Sequence, residues 1–454
     1  MKPNILFLTI DALRADKTFG ENKTSYTPNI DSLISKGTFC DQTISAADQT
    51  GSSLASIFTS KFPITSGINQ FNFTSNTEIM LKKFKDSGYH TCSVVPEHEF
   101  FKNLIKNFDD SEIFELGKKA SWKRLGDGVG EKILEKITSM NSHQPWFFYV
   151  HIMDIRPPFE ISKEFEDKKF GDNNYEKLVS EIDVWLGKIF DNIDFKKTLV
   201  VLSADHGEYI PFTGEYIGGS SKAQRALRKS TKSVPLLEKV GLKAVMNLRF
   251  ASQTYKKEIL KRKLTPFQMR SFNSRGTNAL YDETVRVPLV LSGYNIIPKK
   301  IIKNLIRQVD IFPTLLDLAE INFEKKNIDG RSFISLFKNE KLDNIPAYLE
   351  TGINLGLLLN KKPETLGKII GVRTNSFKYW RARKNPQEEC YLFDLENDPN
   401  EEKNISKDNP KIISEMEEHL TKWKNKTDKT NSNKELSEDE IEKAKDILLK
   451  LGYI

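Results

Sequence analysis

The chain has 454 residues, 38% of them hydrophobic and 29% charged, with 69 Lys and Arg against 62 Asp and Glu and a formal net charge of +7. That is ample for one large buried core with a smaller unit beside it, and no apolar run nears the length needed to span a bilayer. Three widely spaced cysteines, Cys40, Cys92 and Cys390, argue against a disulfide framework and against a zinc cluster, and are read as buried thiols.

Met1-Lys2-Pro3 leads straight into Asn4 to Asp11, NILFLTID, an apolar run ending in an acid. This is the form of a buried parallel strand with a carboxylate at its C-terminal end. Because no signal peptide precedes it, the expected location is the cytoplasm. Arg14 in the following turn reads as a surface residue. Asn29 to Gly37 reads as a helix with Gly37 as its stop. Asp48 to Pro63, DQTGSSLASIFTSKFP, is dense in small hydroxyl residues and then sets apolar groups at helical spacing, so a loop turns into a short helix with Thr50 at or near its N-cap.

A second helix over Asn76 to Gly88 and a strand over Tyr89 to Val95 continue a βαβ rhythm, with His90 and His98 read as structural or exposed. Trp146 to Ile152 is another buried strand, ending at His151 and followed by Asp154, a loop residue. His151 is either a structural imidazole or a group near the reacting centre. Asn174 to Phe190 reads as a helix, and Leu199 to Glu208, LVVLSADHGE, repeats the strand-then-acid form with Asp205 and His206 adjacent.

Taken alone, Thr50 is a helix cap. In open α/β sheets, however, ligands gather outside the carboxyl ends of strands, which brings Asp11, Asp205 and His206 toward Thr50. Two carboxylates, an imidazole and a hydroxyl at the positive end of a helix make a divalent-metal site.

Ser220 to Arg275 is an insertion with fifteen Lys and Arg against Glu238 and Glu258, a net of +13, so the remainder of the chain carries −6. Leu236, Leu237, Val240, Val245 and Leu248 recur among these cations. A lid, a membrane-surface helix, a polyanion clamp and a solvated hairpin all fit. Without interleaved aromatics, nucleic-acid binding is not expected. Beyond it, Val287 to Leu291 is a strand and Asp310 to Ala319 a helix. Lys368 to Arg373, Phe377 to Ala382 and Glu389 to Phe393 fit a small antiparallel sheet. Asn409 to Trp423 makes a helix, Lys424 to Lys434 a linker, and Ser437 opens a last helix through a capping box.

These pieces stand in an order that resembles the sulfatase branch of the alkaline-phosphatase-like hydrolases. The order runs through NILFLTIDALRAD, TPNIDSLISKG, the Thr50 stretch, PWFFYVHIMD, LVVLSADHGE, LYDETVRVPLVLSG, QVDIFPTLLDLAEI, DGRSF, YLFDLENDPNEEKNI and the terminal LGYI. The resemblance implies an α/β three-layer sandwich with a large, mostly parallel central sheet and a small C-terminal antiparallel sheet subdomain. It divides the chain into a catalytic domain over 1–325, with a basic insertion over about 216–275, a subdomain over 326–425, and a linker with a helix over 426–454.

The departures from the family carry the functional expectation. Thr50 stands where the usual sulfatase nucleophile is a Cys oxidised to formylglycine, with Ser52 and Leu54 in place of the motif's Pro and Arg. Formylglycine cannot be made from Thr, so Thr50 resembles the phosphodiesterase and phosphotransferase members, whose metal-bound hydroxyl attacks phosphorus. Arg156 replaces a second His, and Gly276-Thr277-Asn278 stands where many sulfatases have a substrate-binding Lys, so Arg156 and Arg275 are expected to rebuild the anion pocket.

The expected enzyme therefore holds Ca, Mg, Mn or Zn on Asp11, Thr50, Asp205 and His206, with Thr50, His151 and Arg156 catalytic. It acts on an anionic phosphate or sulfate ester carried on a glycan or lipid, with peripheral membrane contact through the insertion. A sulfatase working without formylglycine and a silent polyanion-binding relative are the alternatives.

Overall fold

In a computed structural model, described for residues 2–68, 72–115, 123–140, 142–157, 159–211, 258–272, 275, 279–352, 369–383 and 390–426, the opening apolar run Asn4–Ile10 is β1, fully buried along its length. It sits mid-sheet because it is apolar on both faces. Ile5 and Phe7 join one core and Leu6, Leu8 and Ile10 the other, as a two-residue side-chain period requires.

The other strands of this sheet are β2 (Gly37–Ile44), β3 (His90–Pro96), β4 (Asp110–Phe114), β5 (Trp146–Ile152), β6 (Thr198–Ser203), β7 (Arg286–Val287), β8 (Leu289–Gly293) and β9 (Lys300–Arg307). Nine strands run in the order β4-β3-β5-β1-β6-β8-β2-β7, with β9 paired to β2. The block β4-β3-β5-β1-β6 is parallel throughout, while β8 runs antiparallel to both β6 and β2.

Helices cover both faces. On one side lie α1 (Pro28–Ser35), α3 (Val129–Met140) and α4 (Asn174–Asp191); on the other lie α2 (Thr50–Thr59) and α5 (Ile311–Leu318). Phe312 of α5 meets the rings of Phe7, Phe58, Phe84 and Phe147. Truncating such a ring to Ala costs about 3–5 kcal/mol.

A second, antiparallel sheet runs β10 (Ala347–Glu350), β11 (Ile369–Arg373), β12 (Phe377–Ala382) and β13 (Cys390–Asp394). Helix α6 (Pro410–Asn425) packs Met416, Leu420 and Trp423 against it. The chain is thus the expected three-layer α/β fold with a small antiparallel sheet.

Local expectations hold unevenly. The strand Trp146–Ile152 and the helix from Asn174 stand as read, whereas β2, β4, β9 and β10 were not foreseen. Cys40 and Cys92 are buried thiols, but Cys390 is half-buried. Arg14 is not a surface residue: it is 5% exposed, bound by two 2.8 Å contacts to Asp16. No helix among the described residues is long and apolar enough to cross a membrane. The insertion up to residue 257, the 276–278 triplet and the chain beyond 426, with its linker and last helix, lie outside the described residues.

Candidate active site

Strand order explains why distant residues meet. β1 lies between β5 and β6, with Thr9 in register with both His151 and Ser203. Residues at or just past these three strand ends, Asp11, His151, Asp205 and His206, therefore share one patch, and all four are 0% exposed. β2 delivers the fifth group. After Ile44 the chain turns through a loop pinned by Ser45, whose hydroxyl oxygen lies 2.7 Å from both the Ala47 and the Asp205 carbonyl and donates its one proton between them, and enters α2.

Thr50 is the first helical residue; Gln49 occupies the N-cap position and makes no side-chain cap bond. Thr50 thus stands next to the N-cap, as read, among the first-turn N–H groups that no helical carbonyl satisfies. Its hydroxyl lies 3.2 Å from Asp11 Oδ1 and 3.2 Å from His206 Nε2. His206 Nδ1 faces the Gly207 carbonyl at 2.9 Å, so the hydrogen bonds assign the proton to Nδ1 and leave a lone pair on Nε2.

The backbone here is shaped for the site. Ala12 has φ of 63°, a conformation that costs a non-glycine residue of order 1 kcal/mol or more. In exchange its N–H donates to Asp205 Oδ1 at 3.1 Å and its carbonyl accepts from Tyr175 Oη at 2.8 Å. A side chain on Gly207 would meet the Glu283 carbonyl at 2.1 Å, so only glycine lets the chain past after the Asp-His pair. Gln308, buried under the strand end, donates to the Ala204 and Asp205 carbonyls at 2.7 and 2.8 Å.

Two cations face this patch. Arg156 Nε lies 3.4 Å from Asp11 Oδ2. Arg275 pairs with Glu208 at 2.9 Å and donates to the Asp48 carbonyl at 3.2 Å and to His206 Nε2 at 2.7 Å. Burial alone would raise the Asp11 carboxyl, but the guanidinium groups of Arg156 and Arg275 outweigh it and hold Asp11 below the usual carboxylate range. Asp205 is pushed up to about 8 by burial and by the Asp11 carboxylate. Burial, with Arg275 adding to it, holds His206 neutral. Burial takes His151 down to about 4, where Arg156 acts in the same direction.

Asp11, His151 and Asp205 each offer a ligand atom within 4.8 Å of the others. Asp11 Oδ2, Asp205 Oδ2 and His151 Nε2 are buried and have no hydrogen-bond partner. Two carboxylates forced together in a dry site, with three such atoms converging, fit a divalent cation. The grouping adds His151 beside the two carboxylates; His206 Nε2, expected as a ligand, also lies 3.3 Å from Asp205 Oδ2 and 3.8 Å from Asp11 Oδ1, and faces Thr50 and Arg275. The sequence-read residues Asp11, Thr50, His151, Arg156, Asp205, His206 and Arg275 all meet in this one patch.

The sequence reading missed several supporting groups. Glu208 holds Arg275. Asp48, 0% exposed, accepts the Gly352 N–H at 2.7 Å and so ties the end of β10 to the site. Asp154, taken for a simple loop residue, is 6% exposed, accepts the Leu125 N–H at 3.1 Å, and is raised to about 7 by burial. His98 is half-buried beside Arg156, with its Nδ1 accepting from Phe100 N–H at 3.3 Å. Only Asp48, two residues before Thr50, carried a signal in its position.

A family profile described as Sulfatase matches residues 3–321, and one described as N-sulphoglucosamine sulphohydrolase, C-terminal, matches residues 272–426. Arylsulfatase K of Bos taurus is 30% identical over 148 residues, which is 31% of this chain and 26% of that protein; the Homo sapiens protein is 31% identical over the same length and shares. The chain thus spans about a quarter of the length of the curated relatives it matches.

Among solved structures, the phosphonate monoester hydrolase of Agrobacterium radiobacter is similar with a TM-score of 0.67 at 14% identity, over 96% of this chain and 99% of that one. Ps i-CgsB in complex with k-i-k-neocarrahexaose is similar with a TM-score of 0.66 at 18% identity, over 100% of both chains.

Proposed function

The chain belongs to the sulfatase family, and from that premise we propose that it is an ester hydrolase whose nucleophile is the Thr50 hydroxyl. Its substrate is an anionic phosphate mono- or diester. One observation carries the reading: Thr50 Oγ1 lies 3.2 Å from Asp11 Oδ1 and from the unprotonated Nε2 of His206. The hydroxyl has a proton acceptor in place and a helix N-terminus behind it.

A divalent cation held by Asp11, Asp205, His151 or His206 and Thr50 would supply the Lewis-acid charge that brings a threonine hydroxyl within reach of ionisation near neutral pH. The chain's own groups do the rest. With the cation on His151 and Arg275 turned from His206 onto the substrate, His206 Nε2 takes the Thr50 proton as Oγ1 bonds to the substrate's phosphorus, and the alkoxide that leaves is protonated by water. Arg156 and Arg275 hold the equatorial oxygens, each donor worth on the order of 3 kcal/mol in such a site. Attack by water on the Thr50 ester, or by an acceptor alcohol in a transferase, returns the threonine and releases the product.

A sulfate ester is the second reading, favoured by the 30% identity to arylsulfatase K and by the sulphohydrolase C-terminal match. The partner is then a sulfated sugar, the class of the D-glucosamine-2-N,6-O-disulfate substrate named with the similar structure of BT4656. What weighs against it is the side chain: a threonine has no thiol to become an aldehyde hydrate. In either case the ester is proposed to be glycan- or lipid-linked and the protein cytoplasmic.

The deciding experiment is a panel of aryl phosphate mono- and diesters, phosphonates and aryl sulfates, run with Ca, Mg, Mn or Zn on wild type and Thr50→Ala. Phosphate or phosphonate turnover abolished by Thr50→Ala supports the proposal. Turnover of sulfates alone replaces it with the second reading.

A further inference from the structure

At the opposite end of the parallel strands from Thr50, the sheet edge gathers a different set of ligands. Cys92 on β3 is in register with Asp110 on the edge strand β4. His90, two residues before Cys92, points to the same face of the strand. His90, Cys92 and Asp110 each present a ligand atom within 4.8 Å of the other two. The His143 ring stacks on that of His90, with centroids 4.6 Å apart and planes at 28°.

This arrangement is held from three sides. The His90 N–H donates to the Pro145 carbonyl at 3.0 Å, and the His143 N–H to that of Met140 at 2.9 Å, which fixes the turn between α3 and β5 over the edge. Cys92 packs in the same core as Ile133, Ile137 and Met140 of α3. Lys136 of that helix engages one oxygen of Asp110 at 2.7 Å, and a carboxylate accepts through both. The neighbouring Asp109 is already committed to the Thr91 N–H and hydroxyl and to Lys85.

A thiol, an imidazole and a carboxylate make a donor set unlike that of the catalytic patch, which contains no sulfur. Thiolate with imidazole selects zinc or cobalt over magnesium and calcium. Cysteine counting argues against a zinc cluster, but counting is blind to a mixed site built by strand register.

We propose that Cys92, His90 and Asp110 hold a second metal ion, Zn2+, that clamps the edge strand β4 to β3, with the stacked His143 ring positioning His90. Its role is structural. Binding to the native state alone stabilises the fold by mass action and leaves ester turnover to the other end of the sheet.

Co2+ titrated into chelator-stripped full-length protein tests this, because a thiolate ligand gives a near-ultraviolet sulfur-to-cobalt charge-transfer band that the catalytic patch cannot produce. The expected result is one equivalent of Co2+ with that band, displaced by Zn2+. Cys92→Ser loses the band, Cys390→Ser keeps it, and His143→Ala or Asp110→Asn weakens Co2+ binding at this site by about tenfold or more. Asp110 is exposed, so its variant reports on ligation even if Cys92→Ser disturbs the core. Wild type showing no thiolate band at saturating Co2+, or a band that survives Cys92→Ser, overturns the proposal.

Discussion

Asp205→Asn should stabilise the protein in one medium and handicap it in another. In chelator, the folded state holds the Asp205 carboxyl at about 8 against 3.8 for the free side chain, because it is buried and faces Asp11. A raised carboxyl is protonated in both states below about pH 4, so its contribution to stability is intact there. As the pH climbs from about 4 to about 8, the unfolded chain ionises while the folded one does not, and stability falls by about 1.36 kcal/mol per pH unit. Across the full span wild type loses on the order of a few kcal/mol.

Asparagine removes that loss while keeping the oxygen that accepts from the Ala12 and His206 N–H groups at 3.1 and 2.9 Å. In chelator at pH 8 the variant should therefore have the higher urea midpoint, and the gap should close below about pH 4. A cation that binds between Asp11 and Asp205 changes the order. At a hundredfold excess over its dissociation constant it adds about 2.7 kcal/mol to wild type and less to the variant, which has lost a charged ligand. Urea unfolding of both proteins, with chelator and with each of Ca, Mg, Mn and Zn, reads this directly. Equal responses of the two proteins to every cation, or a less stable variant in chelator at pH 8, would refute the reasoning.

Other consequences follow from the same contacts. Thr50→Val, which keeps the shape and removes the hydroxyl, should lower kcat/KM by at least about 10^4, whereas Thr50→Ser should keep most of the activity in the same ester assay. Arg275→Gln should cost about 10^2 in kcat/KM from the lost donor. It should also lower the unfolding midpoint, because Glu208 is left buried without its ion pair, and adding Glu208→Gln should restore the midpoint but not the rate. Asp154, raised to about 7 by burial, is a second carboxyl whose contribution is lost as pH rises from about 4 to about 7. Asp154→Asn should thus gain on wild type in urea midpoint at pH 8 and lose that advantage at pH 4.

The catalytic patch was legible in the sequence because three of its parts are strands buried on both faces. NILFLTID, WFFYVHI and LVVLSADH advertise themselves as continuous apolar runs with a polar group where each one stops, and a parallel sheet collects such ends. Their mutual order was not legible, since register lies in hydrogen bonds and not in composition. β2, with Gly37, Thr38, Asp41, Gln42 and Thr43, is too polar to read as a strand; it forms because β8 and β9 flank it. β9 has no clean alternation: Ile301 and Lys303 are exposed, Asn304 is half-buried and Leu305 to Arg307 are all buried, so its sequence carries no strand period. Glu208 and Asp154 are ordinary acids until the fold buries them. The cluster at Cys92 is invisible without the β3–β4 register that sets Asp110 opposite the thiol.

Stereochemistry at phosphorus tests the Thr50 ester most directly, because it does not depend on an intermediate accumulating. With an isotopically chiral phosphate ester and a saturating divalent cation, two successive in-line displacements, first by Thr50 and then by water or alcohol, predict retention of configuration. Inversion would mean that water attacks the substrate in a single step, and the threonine would have no covalent part in the reaction.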